Sequence, residues 1–432
     1  MKKLLLSTLL VPLFAHSQTP AAKPINTDSI KNVNIIKYYT KALVVNPNDA
    51  TSYYKIGDAK LDLDLFKESI ESFDKAIALD SNYVDAYIDR GNAKDKLKDI
   101  DGAVADYTTS IHIKPTGKAF YNRAIVKKNQ RDYQGSITDY DEAIKIDPTD
   151  EDYFLNRGNA KNDLKDYKGA IADYSQAIAL APLFSKAYAN RGLAKYYSKD
   201  YSGAIVDCTH SITLNPKEAI AYNDRGLTYI AIGNFSTALV DFNNALLIDP
   251  QYPDAYNNRG LIKLKTKNYL GSINDFTSAI KYNSQYTSGY FNRALANDAL
   301  NRFSDAIDDY SEYIKLAPND AEGYFRRGNS KFNLEDYPSA ILDYNIAIRM
   351  YDNYTYAYIN RGLAKLHQDD YKGAVEDYTK AISIDSKNAD AYNDRGYAEH
   401  MNNDKDAACA DFNQAKALGN TNAEANITKY CK

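Results

Sequence analysis

Tyr188-Ala189-Asn190-Arg191-Gly192, Tyr87-Ile88-Asp89-Arg90-Gly91 and Tyr358-Ile359-Asn360-Arg361-Gly362 are one string of five residues written three times. The Gly or Ala that closes it falls at Gly57, Gly91, Ala124, Gly158, Gly192, Gly226, Gly260, Ala294, Gly328, Gly362 and Gly396. Successive copies are 34 residues apart, except the step from Gly91 to Ala124, which is 33. A fixed period of this length marks stacked supersecondary units rather than one compact core. Around the string, apolar residues recur at three- and four-residue spacing, as in Ala170-Ile171 with Tyr174, Ala177 and Ile178. That is the period of helices.

With the small residue set as the eighth position of each repeat, the other positions fall into register. The fourth is always aromatic, from Tyr53 to Tyr392, and the twentieth is always Ala or Ser. The twenty-fourth is aromatic except for Cys208, and the twenty-seventh is Ala or Ser except at Tyr313. Pro stands at the thirty-second in six repeats, where it ends one helix and admits the next. The small eighth and twentieth positions are expected to face each other across a tight antiparallel pair, with the rings filling space between pairs. Eleven copies in register over 50–422 resemble the tetratricopeptide repeat family. The mild departure is Tyr or Phe at a fourth position where that family often has Trp. The resemblance implies an all-α fold, a right-handed α-solenoid superhelix of tandem helix-turn-helix hairpins.

The ends read as caps. Residues 33–48 match a lone second helix of a hairpin, through Tyr39, Ala42 and Pro47, and 423–432 read as a final capping helix and tail. Residues 1–17 have the pattern of a secretory signal peptide: Lys2 and Lys3, an apolar run from Leu4 to Phe14, and Ala15-His16-Ser17 before a cut at Gln18. The alternative is an uncleaved anchor, for which the run is short. Residues 18–32 are expected to be flexible, and the chain to be periplasmic or secreted with no membrane span.

Arg holds the seventh position and Asp the twenty-third in repeats two to eleven, from Arg90 with Asp106 to Arg395 with Asp411. Repeat one has Ile56 and Ser72 instead, lacking both. The joint loss implies a pair within each repeat, since an Arg fork can grip a carboxylate with two bonds. The functional alternative is an anion-binding strip.

The family resemblance implies a concave groove lined by the first helix of each hairpin, helix A, chiefly at positions two, five, nine, twelve and thirteen. The sixth position also reaches inward and holds Asn122, Asn156, Asn190, Asn258, Asn292 and Asn360, with Asp89, Asp224 and Asp394 among them. An amide side chain offers donors and an acceptor, so such a column can bind the backbone of an extended peptide. It looks like the asparagine ladder of O-linked N-acetylglucosamine transferases, without their catalytic domain. The alternative is that these Asn bridge or cap neighbouring helices. Tyr121, Tyr197, Phe291 and Phe325, with Tyr54, Tyr196, Phe332 and Tyr356, also fall on groove positions. They are either anchors for apolar side chains or packing between repeats. The carboxylate clamp of some family members is incomplete: Asn292 and Arg326 match it, while Asn257, Leu261 and Glu322 replace its other residues.

Composition is ordinary, 44% hydrophobic and 25% charged, with net charge −4 and no block of basic residues. Nucleic acid lacks the clustered cations it would need. Cys409 and Cys431 are candidates for a disulfide in an exported chain, and Cys208 takes a core position. His367 and His400 fall in adjacent repeats, but no third ligand completes a metal site. No nucleophile elbow, phosphate loop or zinc-protease motif occurs. The reading is a non-catalytic scaffold that binds a protein or peptide in its groove, without cofactor or metal; the alternative is a structural subunit of a cell-envelope assembly contacted through its edges and convex face. No oligomeric state is implied.

Overall fold

The computed structural model describes residues 27–431, so the expected signal peptide and most of the expected flexible segment lie outside the described residues. Among the described residues there are 24 helices and no strand. They form an N-terminal helix, Thr27–Val45, eleven hairpins, and a C-terminal helix, Ala423–Tyr430. The chain divides into two compact units, one ending at Pro182 and one beginning at Leu183. The first holds the N-terminal helix and repeats one to four. The second holds repeats five to eleven and the C-terminal helix.

The N-terminal helix starts at Thr27, ahead of the expected boundary at 33. Asn32 explains the extension: it is buried, and its Nδ2 donates to Asp62 Oδ2 at 3.3 Å in the first hairpin. Asp28 adds an acidic group where the helix dipole favours one.

Repeat four shows how each hairpin is built. Helix A spans Glu151–Asp163 and helix B Tyr167–Leu180. Between them Lys165 takes a left-handed conformation, φ 63°. Its N–H donates to Asn162 O, and Asp166 N–H donates to Lys161 O, both at 2.9 Å, the bond pair that closes a helix C-terminus. Asp166 then caps helix B, accepting from Gly169 N–H at 3.0 Å. A Cβ at Gly169 would stand 2.1 Å from Asp166 Oδ2, so a larger residue there must shift the capping side chain, as in the repeats that cap Ser339 and Ala407 instead. Helix B ends at an extended residue, here Ala181 followed by Pro182.

The packing inside each hairpin differs in one respect from expectation. The small eighth residue sits under the ring of position twenty-four rather than chiefly against position twenty. A Cβ on Gly158 would lie 2.7 Å from the Tyr174 ring, and the same holds for Gly91 with Tyr107 and Gly226 with Phe242. The ring is wide enough to reach the partner helix backbone, so it claims the space. Tyr107, Tyr140, Tyr174, Tyr310, Tyr344 and Tyr378 are all almost fully buried in this way. Burial of so large a ring is worth several times a methylene's contribution of about 0.8 kcal/mol.

The Arg–Asp pairs are intra-repeat in all ten repeats that carry them. In repeat four, Arg157 Nε and Nη2 donate to Asp173 Oδ2 and Oδ1 at 2.9 and 2.6 Å. Lys161 Nζ adds a contact to Oδ2 at 2.8 Å, and Asp173 is 3% exposed. The third guanidinium nitrogen reaches back to Asp141 of the preceding repeat at 2.6 Å, and the plane lies over Phe154. One Arg therefore ties helix A to its own helix B and to the hairpin before. In repeat one Lys60 Nζ donates instead to Ser72 Oγ at 3.1 Å. With three of its donor groups committed to protein acceptors, the Arg column serves structure, not an anion-binding strip.

Candidate functional site

Within each unit, helix A of each repeat turns positions five, six, nine, twelve and thirteen to a common face. Two cavities on that face show this directly. In the first unit a cavity of about 390 Å³ is lined by Asn92, Asp95, Lys96, Tyr107, Asn122 and Ile125, among others. In the second unit one of about 260 Å³ is lined by Leu363, His367, Asn393, Asp394, Tyr397 and Asn426, with Leu366.

The asparagine column lies on this face and is engaged between repeats. Asn122 Nδ2 donates to Asn92 Oδ1 at 2.9 Å, and Asn156 Nδ2 donates to Tyr121 Oη at 3.1 Å and to Asp152 O at 2.9 Å. Asn258 Nδ2 donates to Asn223 Oδ1 at 3.0 Å, Asn292 Nδ2 to Asn257 Oδ1 at 2.9 Å, and Asn360 Nδ2 to Asn329 Oδ1 at 2.8 Å. Asn190 is half-buried at the same position. Apart from the Asn156–Asp152 bond within one helix, each joins a sixth position to the fifth or ninth of the preceding helix A. The bridging role is therefore real. It takes up donors; among the described residues no group donates to Oδ1 of Asn122, Asn156, Asn292 or Asn360, and these acceptors stay on the face.

The aromatic candidates divide. Tyr197 is 49% exposed and meets Tyr196 edge-on at 5.2 Å. Tyr121 is half-buried between Tyr140 and Tyr153, at 5.9 and 5.1 Å, and burial pushes its hydroxyl up to about 12. Phe291 packs on Tyr313 at 4.9 Å and Tyr310 at 5.7 Å. Phe325 is only 7% exposed, held between Tyr344 and Tyr354, so it offers almost no ring to a ligand. Position five borders the seam between repeats, and a large residue there is drawn into it. Ile88 and Leu155 are buried at the same position.

The remaining candidates have other surroundings. Arg326 Nε is paired to Glu322 Oε1 at 2.7 Å, which occupies the one cation that matched a clamp. His367 stacks on Tyr337 at 4.5 Å, and His400 lies against Tyr430 at 4.2 Å. Among the described residues no three His, Cys, Asp or Glu side chains are placed to hold a metal. Cys208 is buried, and burial, then the Asp224 charge, pushes its thiol pKa well up. Cys409 and Cys431 are bonded.

The burial of Asp224 and a column of leucines escaped the sequence reading. Asp224 replaces Asn at the sixth position and is buried; burial pushes its carboxyl up to about 7, and its Oδ2 has no partner. The ninth position carries Leu193, Leu227, Leu261 and Leu295 in four consecutive repeats of the second unit. A count by position would have found that column.

Comparison with known proteins follows the same repeats. A family model described as "TPR repeat" matches residues 126–162, 226–267 and 366–403. Two described as "Tetratricopeptide repeat" match 50–83 and 151–182, and 257–321. Together they cover just over half of the chain. Rat serine/threonine-protein phosphatase 5 is 33% identical over 85 residues, 20% of this chain and 17% of that protein. The Hsp70-Hsp90 organising protein of Plasmodium falciparum is 29% identical over 84 residues, 19% of this chain and 33% of that protein. The chain thus spans between a sixth and a third of these relatives. The solved structure of the APC/C hetero-tetramer Cut9-Hcn1 is 12% identical, over 94% of this chain and 95% of that one, with a TM-score of 0.43. With eleven hairpins in register and the family models matching just over half of the chain, the chain belongs to the tetratricopeptide repeat family.

Proposed function

We propose that the chain is an exported, non-catalytic scaffold that binds segments of other proteins on its helix-A face. The observation that carries this is the set of half-buried amides on that face with acceptors left open in repeats three and four of the first unit and eight and ten of the second. An extended backbone has free N–H groups to meet them, whereas a folded surface has few. One relative by sequence is named for organising two other proteins, which accords with a holding role. Export accords with the Lys2-to-Ser17 pattern and with the Cys409–Cys431 bond, a feature of oxidising compartments.

The second reading, a structural subunit of an envelope assembly, draws on helix B. Val206, Val240, Leu247 and Leu342 are exposed there. Capture of envelope proteins by the full chain separates the two. The Asn156→Ala/Asn292→Ala double variant is expected to lose its captured partners at unchanged helicity. Full capture by that variant, with loss in a Val206→Asp/Val240→Asp variant, would transfer the function to the outer face.

A further inference from the structure

The helix-A faces of the two units differ in chemistry at the same repeat positions. In the first unit, positions nine are Asp58, Asn92, Ile125 and Asn159, and positions twelve are Leu61, Asp95, Lys128 and Asn162. In repeats five to seven of the second unit, positions nine are Leu193, Leu227 and Leu261, and positions twelve are Tyr196, Ile230 and Leu264. Leu295 extends the column into repeat eight. None of these four leucines is fully buried, and Leu261 is 37% exposed. Ile220, Ile232 and Tyr197 stand exposed around them.

Charge on this wall is sparse and mostly engaged. Asp254 accepts from Tyr286 Oη at 2.7 Å, and Asp298 accepts from Tyr310 Oη and Ser330 Oγ at 2.9 and 2.7 Å. Lys265 Nζ lies 4.6 Å from the Phe235 ring centre. Lys186 is exposed in the first turn of helix A of repeat five. A charged partner would leave water for a wall with little opposite charge to offer, so charge matching favours an uncharged one. A helical partner would bring its backbone groups already bonded, while Asn292 keeps an open Oδ1 beside the leucines. That favours an extended backbone.

We propose that repeats five to eight bind an uncharged, extended segment of another polypeptide with a large aliphatic residue at every third position, seated on Leu193, Leu227, Leu261 and Leu295. The spacing follows from geometry. Packed helices lie about 8–10 Å apart, and three residues of polyproline II backbone advance about 9 Å and return to the same face. The proposal rests on the helix-A face being the binding surface and adds what that face selects.

The probe is an acetylated, amidated peptide of four Leu-Thr-Asn triplets, with one leucine replaced by photo-leucine, and matched peptides bearing Lys or Glu at every leucine. With the full chain, crosslinks of the leucine peptide are expected on helices A of repeats five to eight. Its affinity is expected to exceed that of either charged peptide at least tenfold, and to fall about tenfold in the Leu227→Asn/Leu261→Asn variant. Equal binding of the charged peptides, with the leucine peptide still crosslinked on helices A, would sink the selectivity and spare the binding face. Crosslinks on helices B, or none, would sink both. Crosslinks on helices A of the first unit would overturn the assignment to repeats five to eight.

Discussion

At the scale of single residues, position six is the informative place. Asn there satisfies its amide on the preceding helix, as Asn258 does on Asn223. Asp224 has no such option, because Ala189 and Leu193 occupy the corresponding places in repeat five. Its Oδ1 accepts from Asn223 Nδ2 at 3.2 Å, and its Oδ2 is buried without a partner. Burial holds the proton on to about 7, whereas an unfolded Asp releases it near 4. The sign follows: stability from the protonated form is complete below about 4 and is lost as pH rises to about 7. Asp224→Asn removes that loss. The variant is expected to be more stable than the parent at pH 8, by roughly 1–3 kcal/mol, with a smaller margin at pH 5. Denaturant titrations at the two pH values measure it, and an equal margin at both would contradict the assignment. The sequence showed an Asp among Asn; it did not show the burial, which depends on what the next helix places alongside.

At the scale of elements, the C-terminal helix is held differently from the others. It has eight residues, too few to be stable alone. Tyr430 lies against His400 and Phe412, Asn426 Nδ2 donates to Asn393 Oδ1 at 2.7 Å, and Cys431 is bonded to Cys409. Closing a loop of 22 residues removes about 3 kcal/mol of chain entropy. Cys431→Ser is therefore expected to raise hydrogen exchange across Ala423–Tyr430 by more than tenfold and leave repeats five to ten unchanged. Loss of protection throughout the unit would show that the cap matters more widely than its contacts imply. Hairpin boundaries were readable because Pro marks them at a fixed position in six repeats. The left-handed residue before each helix B was not, since Lys, Arg, Asn, Asp and Glu all take it and only Gly233 announces it.

At the scale of the whole molecule, repeats bury their apolar faces on neighbours, so stability is a sum of local and nearest-neighbour terms. The first unit has four hairpins and an N-terminal helix closing its first one through Asn32 and Asp62. A fragment of residues 27–182 is expected to fold alone, with a helical circular dichroism spectrum and a cooperative melt. A fragment that stays unfolded would mean that the unit depends on the rest of the chain.

The repeat length, the helical class and the intra-repeat Arg–Asp pairs were determined by the sequence alone, because each follows from residue types recurring at one spacing. The tertiary structure alone decided which side of helix A every large residue occupies. Phe325 and Tyr197 both fall on groove positions, yet Phe325 is enclosed by Tyr344 and Tyr354 while Tyr197 stays half open. The same contacts spend the asparagine donors and leave their acceptors on the face. Burial is set by the neighbouring helix, and a repeat read by itself carries no record of its neighbour's side chains.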